Sequence, residues 1–112
     1  NCKRLNVMQF GGCLNLTDST LTEFLNVSRN GPILVLGIFG CRKISSILVE
    51  LLKPHDTIRI LKIGGCNFKI SNIVNIIQSL PNLEALDISQ IKRVKSSMKN
   101  LESYLGNIRV KT

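Results

Sequence analysis

The sequence predicts an α/β fold assembled by repetition, each unit a short strand, a sharp turn and a helix running back alongside. Three observations carry that prediction. Apolar residues at positions one, four and six, with Cys at position nine, mark Leu5–Cys13, Ile33–Cys41 and Ile58–Cys66. The pattern recurs at Leu83–Ile91 with Ile91 in place of the Cys, and begins again at Leu105-Gly-Asn-Ile108-Arg-Val110. Starts at 5, 33, 58, 83 and 105 are 28, 25, 25 and 22 residues apart, and within each unit the apolar spacing changes from strand-like to helix-like.

Each element follows from its residues. Leu61-Lys62-Ile63 alternates with period two, as a strand with one face in the core does. Gly11-Gly12 and Gly64-Gly65 come where the chain must bend at once. Thr17-Asp18 offers a helix start before Leu21, Phe24 and Leu25, and Ser45-Ser46 does so before Ile47, Leu48, Leu51 and Leu52. Ser71-Asn72 precedes Ile73, Ile76, Ile77 and Leu80, and Ser96-Ser97 precedes Met98, Leu101 and Leu105. Asn30-Gly31-Pro32, Pro54-His55-Asp56 and Pro81-Asn82 then close the units. The spacing falls in the range of leucine-rich repeats. The expected architecture is therefore a leucine-rich-repeat solenoid over residues 1–112: a right-handed β/α coil of four to five repeats, its parallel sheet concave and its helices on the convex side. The start at Asn1-Cys2-Lys3-Arg4, without an initiator Met, reads as a fragment of a larger protein, and further repeats are expected on its flanks.

A length of 112 residues allows one domain, and 44% apolar residues can fill a core, which argues against disorder. No apolar run reaches the length of a membrane span, so no membrane partner is expected. Fifteen Lys and Arg against seven Asp and Glu give +8; residues 92–112 hold six basic and one acidic, hence +5 of it.

Cys13-Leu-Asn-Leu16-Thr17-Asp18-Ser-Thr-Leu21 resembles the cysteine-containing leucine-rich repeats of F-box receptor proteins, in which a Cys is followed by a Leu-Thr-Asp helix start. Leu83-Glu-Ala-Leu86-Asp-Ile88-Ser89 resembles repeats of the zygote-defective type of Cullin-2 substrate receptor. The resemblance extends over essentially the whole chain; it is tightest in the first unit, since Ser45-Ser46 and Ser71-Asn72 stand for Thr-Asp and the fourth unit lacks the Cys. It implies substrate recognition for a cullin-RING ubiquitin ligase.

Cys13, Cys41 and Cys66 share one repeat position and read as buried, reduced thiols packed in the turns. No Cys-x-x-Cys pair is present and His55 is the only histidine, so neither a metal nor a cofactor is expected. Reduced cysteines point to the cytoplasm or nucleus. The sequons Asn15-Leu-Thr17 and Asn26-Val-Ser28 match what chance gives for eleven Asn and fifteen Ser and Thr. His55 reads as a turn residue, and Gly37-Ile-Phe-Gly40-Cys-Arg-Lys43 lacks phosphate-loop spacing, so no enzyme is expected.

Two faces could bind a partner. With positions four and six in the core, positions three, five and seven face outward on the sheet. That face carries Val7, Gln9, Val35, Phe39, Ile60, Lys62, Asp87 and Arg109, with Val7, Val35, Phe39 and Ile60 as an exposed apolar cluster. The plain alternative is that strands favour such residues anyway. The strand-to-helix loops carry Arg42, Lys43, Lys69, Lys92, Arg93 and Lys95, a basic rim suited to an acidic protein surface or nucleic-acid phosphate, or simply to solvation. The function expected is a protein–protein interaction module; the competing expectation is an assembly subunit of a large complex, such as a ribonucleoprotein, anchored by the rim.

Overall fold

The computed structural model describes residues 6–25, 32–92 and 94–112. Its strands and helices alternate: β1 (Asn6–Gln9), α1 (Asp18–Leu25), β2 (Ile33–Gly37), α2 (Leu48–Leu52), β3 (Ile60–Lys62), α3 (Ile70–Ser79), β4 (Ala85–Asp87), α4 (Met98–Leu105) and β5 (Arg109–Lys111). The strands form one parallel sheet in chain order, each helix making the crossover that parallel pairing requires. The α/β class is as the sequence predicts. Leu5, Cys2, Arg93 and the Asn26 sequon lie outside the described residues. Among the described residues no helix is long and apolar enough to cross a membrane.

Register follows the repeat. Val35, Ile60 and Ala85 stand side by side, as do Leu36, Leu61 and Leu86, so like positions of successive units meet. Positions four and six (Leu36, Leu61, Leu86; Ile38, Ile63, Ile88) are buried. They pack with Leu21 and Leu25 of α1, Leu48 and Leu52 of α2, Ile73, Ile76 and Ile77 of α3, and Leu101 of α4. Each such side chain contributes about 1.5–3 kcal/mol by leaving water. Met8 and Phe10, with one described strand beside them, are only half-buried.

Helix starts differ in detail. Thr17 Oγ1 accepts the Thr20 N–H at 3.3 Å, an N-cap. Asp18 instead ties two units together, its carboxylate accepting the Ser45 N–H (2.9 Å) and the Ser45 hydroxyl (2.6 Å). Helix α3 begins before Ser71, where Asn72 Oδ1 accepts the Lys69 N–H at 3.0 Å.

The last unit corrects the expected register. Val110 lies opposite Leu86 and Arg109 opposite Ala85, so the strand register counts from residue 107 rather than 105. Leu105 is the buried end of α4, four residues after Leu101, and Gly106 reverses the chain at φ 54. A residue that completes a buried helix stripe cannot also open the next strand.

Candidate partner-binding surface

The turn after each strand sets the geometry. Position eight is left-handed in four units: Gly12, Gly40, Gly65 and Gln90 have φ of 74, 73, 69 and 58. The N–H groups of Gly12, Gly40 and Gly65 donate to the carbonyls of Phe39, Gly64 and Ser89 in the next unit, each at 2.8 Å. The ladder thus continues beyond the strands, and the turn delivers position nine inward. There the Cys41 thiol donates to the Phe10 carbonyl (3.1 Å) and the Cys66 thiol to the Ile38 carbonyl (2.9 Å), joining each unit to the one before. Burial pushes the Cys66 thiol up to about 11 and shifts Cys41 in the same direction. Cys13 departs from the expected burial: it is exposed, because no described unit stacks beyond β1 to cover it. His55 lies half-buried in the loop after α2, where burial pushes its imidazole below the usual value.

The outward face of the sheet carries the expected side chains in two rows. Position three runs Val7, Val35, Ile60, Ala85, Arg109 across the strands. Val7 is 51% exposed, and Val35 and Ile60 are half-buried. Position five runs Gln9, Gly37, Lys62, Asp87, Lys111. The expected four-residue apolar cluster is split. Phe39 is four residues beyond Val35, roughly 13 Å along an extended chain, and the Gln9 side chain lies over Gly37 between them. Phe39, 36% exposed, packs instead against Gly64, where an added Cβ would fall 2.8 Å from its ring.

Arg109 changes neighbours with the register: it flanks Ala85, and Lys111 takes the expected place beside Asp87. Asp87 turns toward its own turn, its Oδ1 accepting the Ser89 N–H (2.9 Å) and hydroxyl (2.6 Å). Sequence reasoning gave no role to this lock; the Asp-x-Ser spacing is its only signal. Lys111 was recoverable from Gly106, whose place after a buried helix residue marks the true end of α4.

Of the residues expected to form a basic rim, Arg42, Lys43, Lys69, Lys92 and Lys95 are all exposed. Arg42 and Lys92 come together around one hollow of about 310 Å³, floored by Cys66 and Phe68. Lys95 borders a different hollow with Phe39 and Lys111, while Lys43 and Lys69 line neither. Arg93 lies outside the described residues. No protein-family model matches the chain, and no curated protein matches it.

Proposed function

We propose that the chain is a leucine-rich-repeat arc whose open sheet face captures a partner protein. The observation that carries this reading is the row Val7–Val35–Ile60–Ala85, apolar side chains aligned across four parallel strands on the face turned away from the buried core. Contiguous apolar surface of this kind suits a protein partner, which replaces the water over it. A role as substrate receptor of a cullin-based ubiquitin ligase, acting in the cytoplasm or nucleus, rests on the resemblance of Cys13–Leu21 to F-box receptor repeats.

The test is affinity purification of the protein from cells, with and without Val35→Asp and Ile60→Asp. Recovery of a cullin with its adaptor, and loss of one further protein from both variants, is the expected result. A recovered set that both variants leave unchanged removes the sheet face as the binding surface; a set without any cullin removes the ligase role.

The convergence of Arg42 and Lys92 on one hollow favours a second reading, an assembly subunit held by its basic rim. That reading expects binding to vanish at moderate salt and on Arg42→Glu, and to survive Ile60→Asp.

A further inference from the structure

We propose that the β3–β5 end of the sheet face receives an acidic, extended segment of a partner protein, its aliphatic side chain on Ile60 and Ala85 and its carboxylates on Lys62, Arg109 and Lys111. The proposal rests on the sheet-face reading above and names the chemistry of its partner.

A hollow of about 490 Å³ opens on the sheet here, with Ile60 and Ala85 among its apolar lining and Lys62, Asp87, Arg109 and Lys111 around them. Lys62, Asp87 and Lys111 occupy one row, on strands about 4.8 Å apart. Arg109 stands on the same face of β5 as Lys111, two residues away. Asp87, the single acid of the lining, turns its Oδ1 to Ser89 and accepts both hydrogen bonds there, and three cations against one carboxylate leave the hollow at a formal +2. The ion pairs among the described residues are Lys53–Glu50 and Arg59–Glu84; the three cations of the hollow take part in none. Three unpaired cations beside an aliphatic surface attract carboxylates, and the Arg109 guanidinium can hold one by two parallel hydrogen bonds. An extended segment places same-face side chains about 6.7 Å apart, which is the spacing from Arg109 to Lys111 along their strand. No aromatic lines the hollow, so nucleic-acid bases would find no stacking platform.

Fluorescence anisotropy with the 112-residue chain tests this directly. The probes are a fluorescein-labelled ten-residue peptide of alternating Asp and Leu, its Asn–Leu counterpart, and ten-nucleotide oligouridylate. The Asp–Leu peptide should bind, and about tenfold more tightly than the Asn–Leu peptide. Lys62→Ala and Arg109→Ala should each weaken it about tenfold, while Lys99→Ala on α4 leaves it unchanged. Equal binding of the Asn–Leu peptide, equal loss on Lys99→Ala, or tighter binding of the oligouridylate would overturn the proposal. A cellular partner lost on Val35→Asp yet retained by Lys62→Ala and Arg109→Ala would also overturn it, leaving face recognition itself intact.

Discussion

Adding one methyl group at Gly64 and at Gly11, the same position of two units, should have opposite effects. At Gly64 a Cβ would stand 2.8 Å from Phe39 Cε2, from the Ser89 carbonyl oxygen and from Ser89 Oγ, where carbon contacts are at their optimum near 3.5–4.0 Å. The ring can turn aside, and the hydroxyl can do so by giving up its 2.6 Å bond to Asp87. The carbonyl cannot, because it accepts the Gly65 N–H at 2.8 Å and moving it breaks the ladder. Overpacking of this kind costs about 1–3 kcal/mol. With two of the three contacts able to relax, Gly64→Ala is expected near 2 kcal/mol, a fall in Tm of about 8 °C at roughly 4 °C per kcal/mol. At Gly11 nothing lies within 4 Å and φ is not left-handed. Gly11→Ala should therefore stabilise by about 0.4–1 kcal/mol through the unfolded chain. At Gly37 the added carbon meets only the Gln9 side chain, at 3.5 Å, and Gly37→Ala should sit between the two. Urea unfolding followed by circular dichroism ranks the three variants. Equal losses at Gly11 and Gly64 would show instead that backbone freedom rather than space keeps the glycine. The double variant Gly64→Ala with Phe39→Ala should not recover parental stability, because the carbonyl clash remains.

Three further outcomes are expected. Thiol labelling of the native protein read by mass spectrometry should modify exposed Cys13 at once, and Cys41 and Cys66 only as the chain unfolds; rapid native labelling of Cys66 would contradict its buried bond to Ile38. With the folded Cys66 thiol at about 11 against 9.0, the unfolded chain ionises first. Stability is then whole below pH 9 and declines up to pH 11, by about 2–3 kcal/mol; a Cys66→Ala variant with an equally steep alkaline decline would count against this. Gln90 holds the left-handed turn that glycine holds elsewhere, so Gln90→Gly should raise stability by about 0.5–1 kcal/mol in urea melts, and a loss would mean that its side chain makes a compensating contact.

The apolar framework was legible because positions four and six are buried by both sheet and helices, which leaves little freedom of residue type. Leu36, Leu61 and Leu86, at intervals of 25, show this directly. The fifth unit misled because Leu105 suits two patterns at once, and only the pairing with Leu101 and the turn at Gly106 decide between them. Phe39 was misplaced for a different reason. Alternation tells which face a side chain joins, but not that Gln9 folds over Gly37 and divides that face. Cys13 shows the same limit from another side, since a repeat position is buried only if a neighbour stacks on it.

The chain-order sheet also has a kinetic consequence. Every strand pairs with its sequence neighbours, so each pairing closes a loop of nearly equal length, with offsets of 28 residues for β1–β2 and 24 for β4–β5. Closure entropy differs between those extremes by only about 0.1 kcal/mol. No pairing is penalised by topology, and the order of assembly is left to burial. Leu36, Leu61 and Leu86 stack in the middle of the sheet with strands on both sides, whereas Met8 and Val110 lie on its outer strands and keep part of their surface in water. Folding should accordingly nucleate at β2–β3–β4 and zip outward, with β1 and β5 the last to dock and the first to fray.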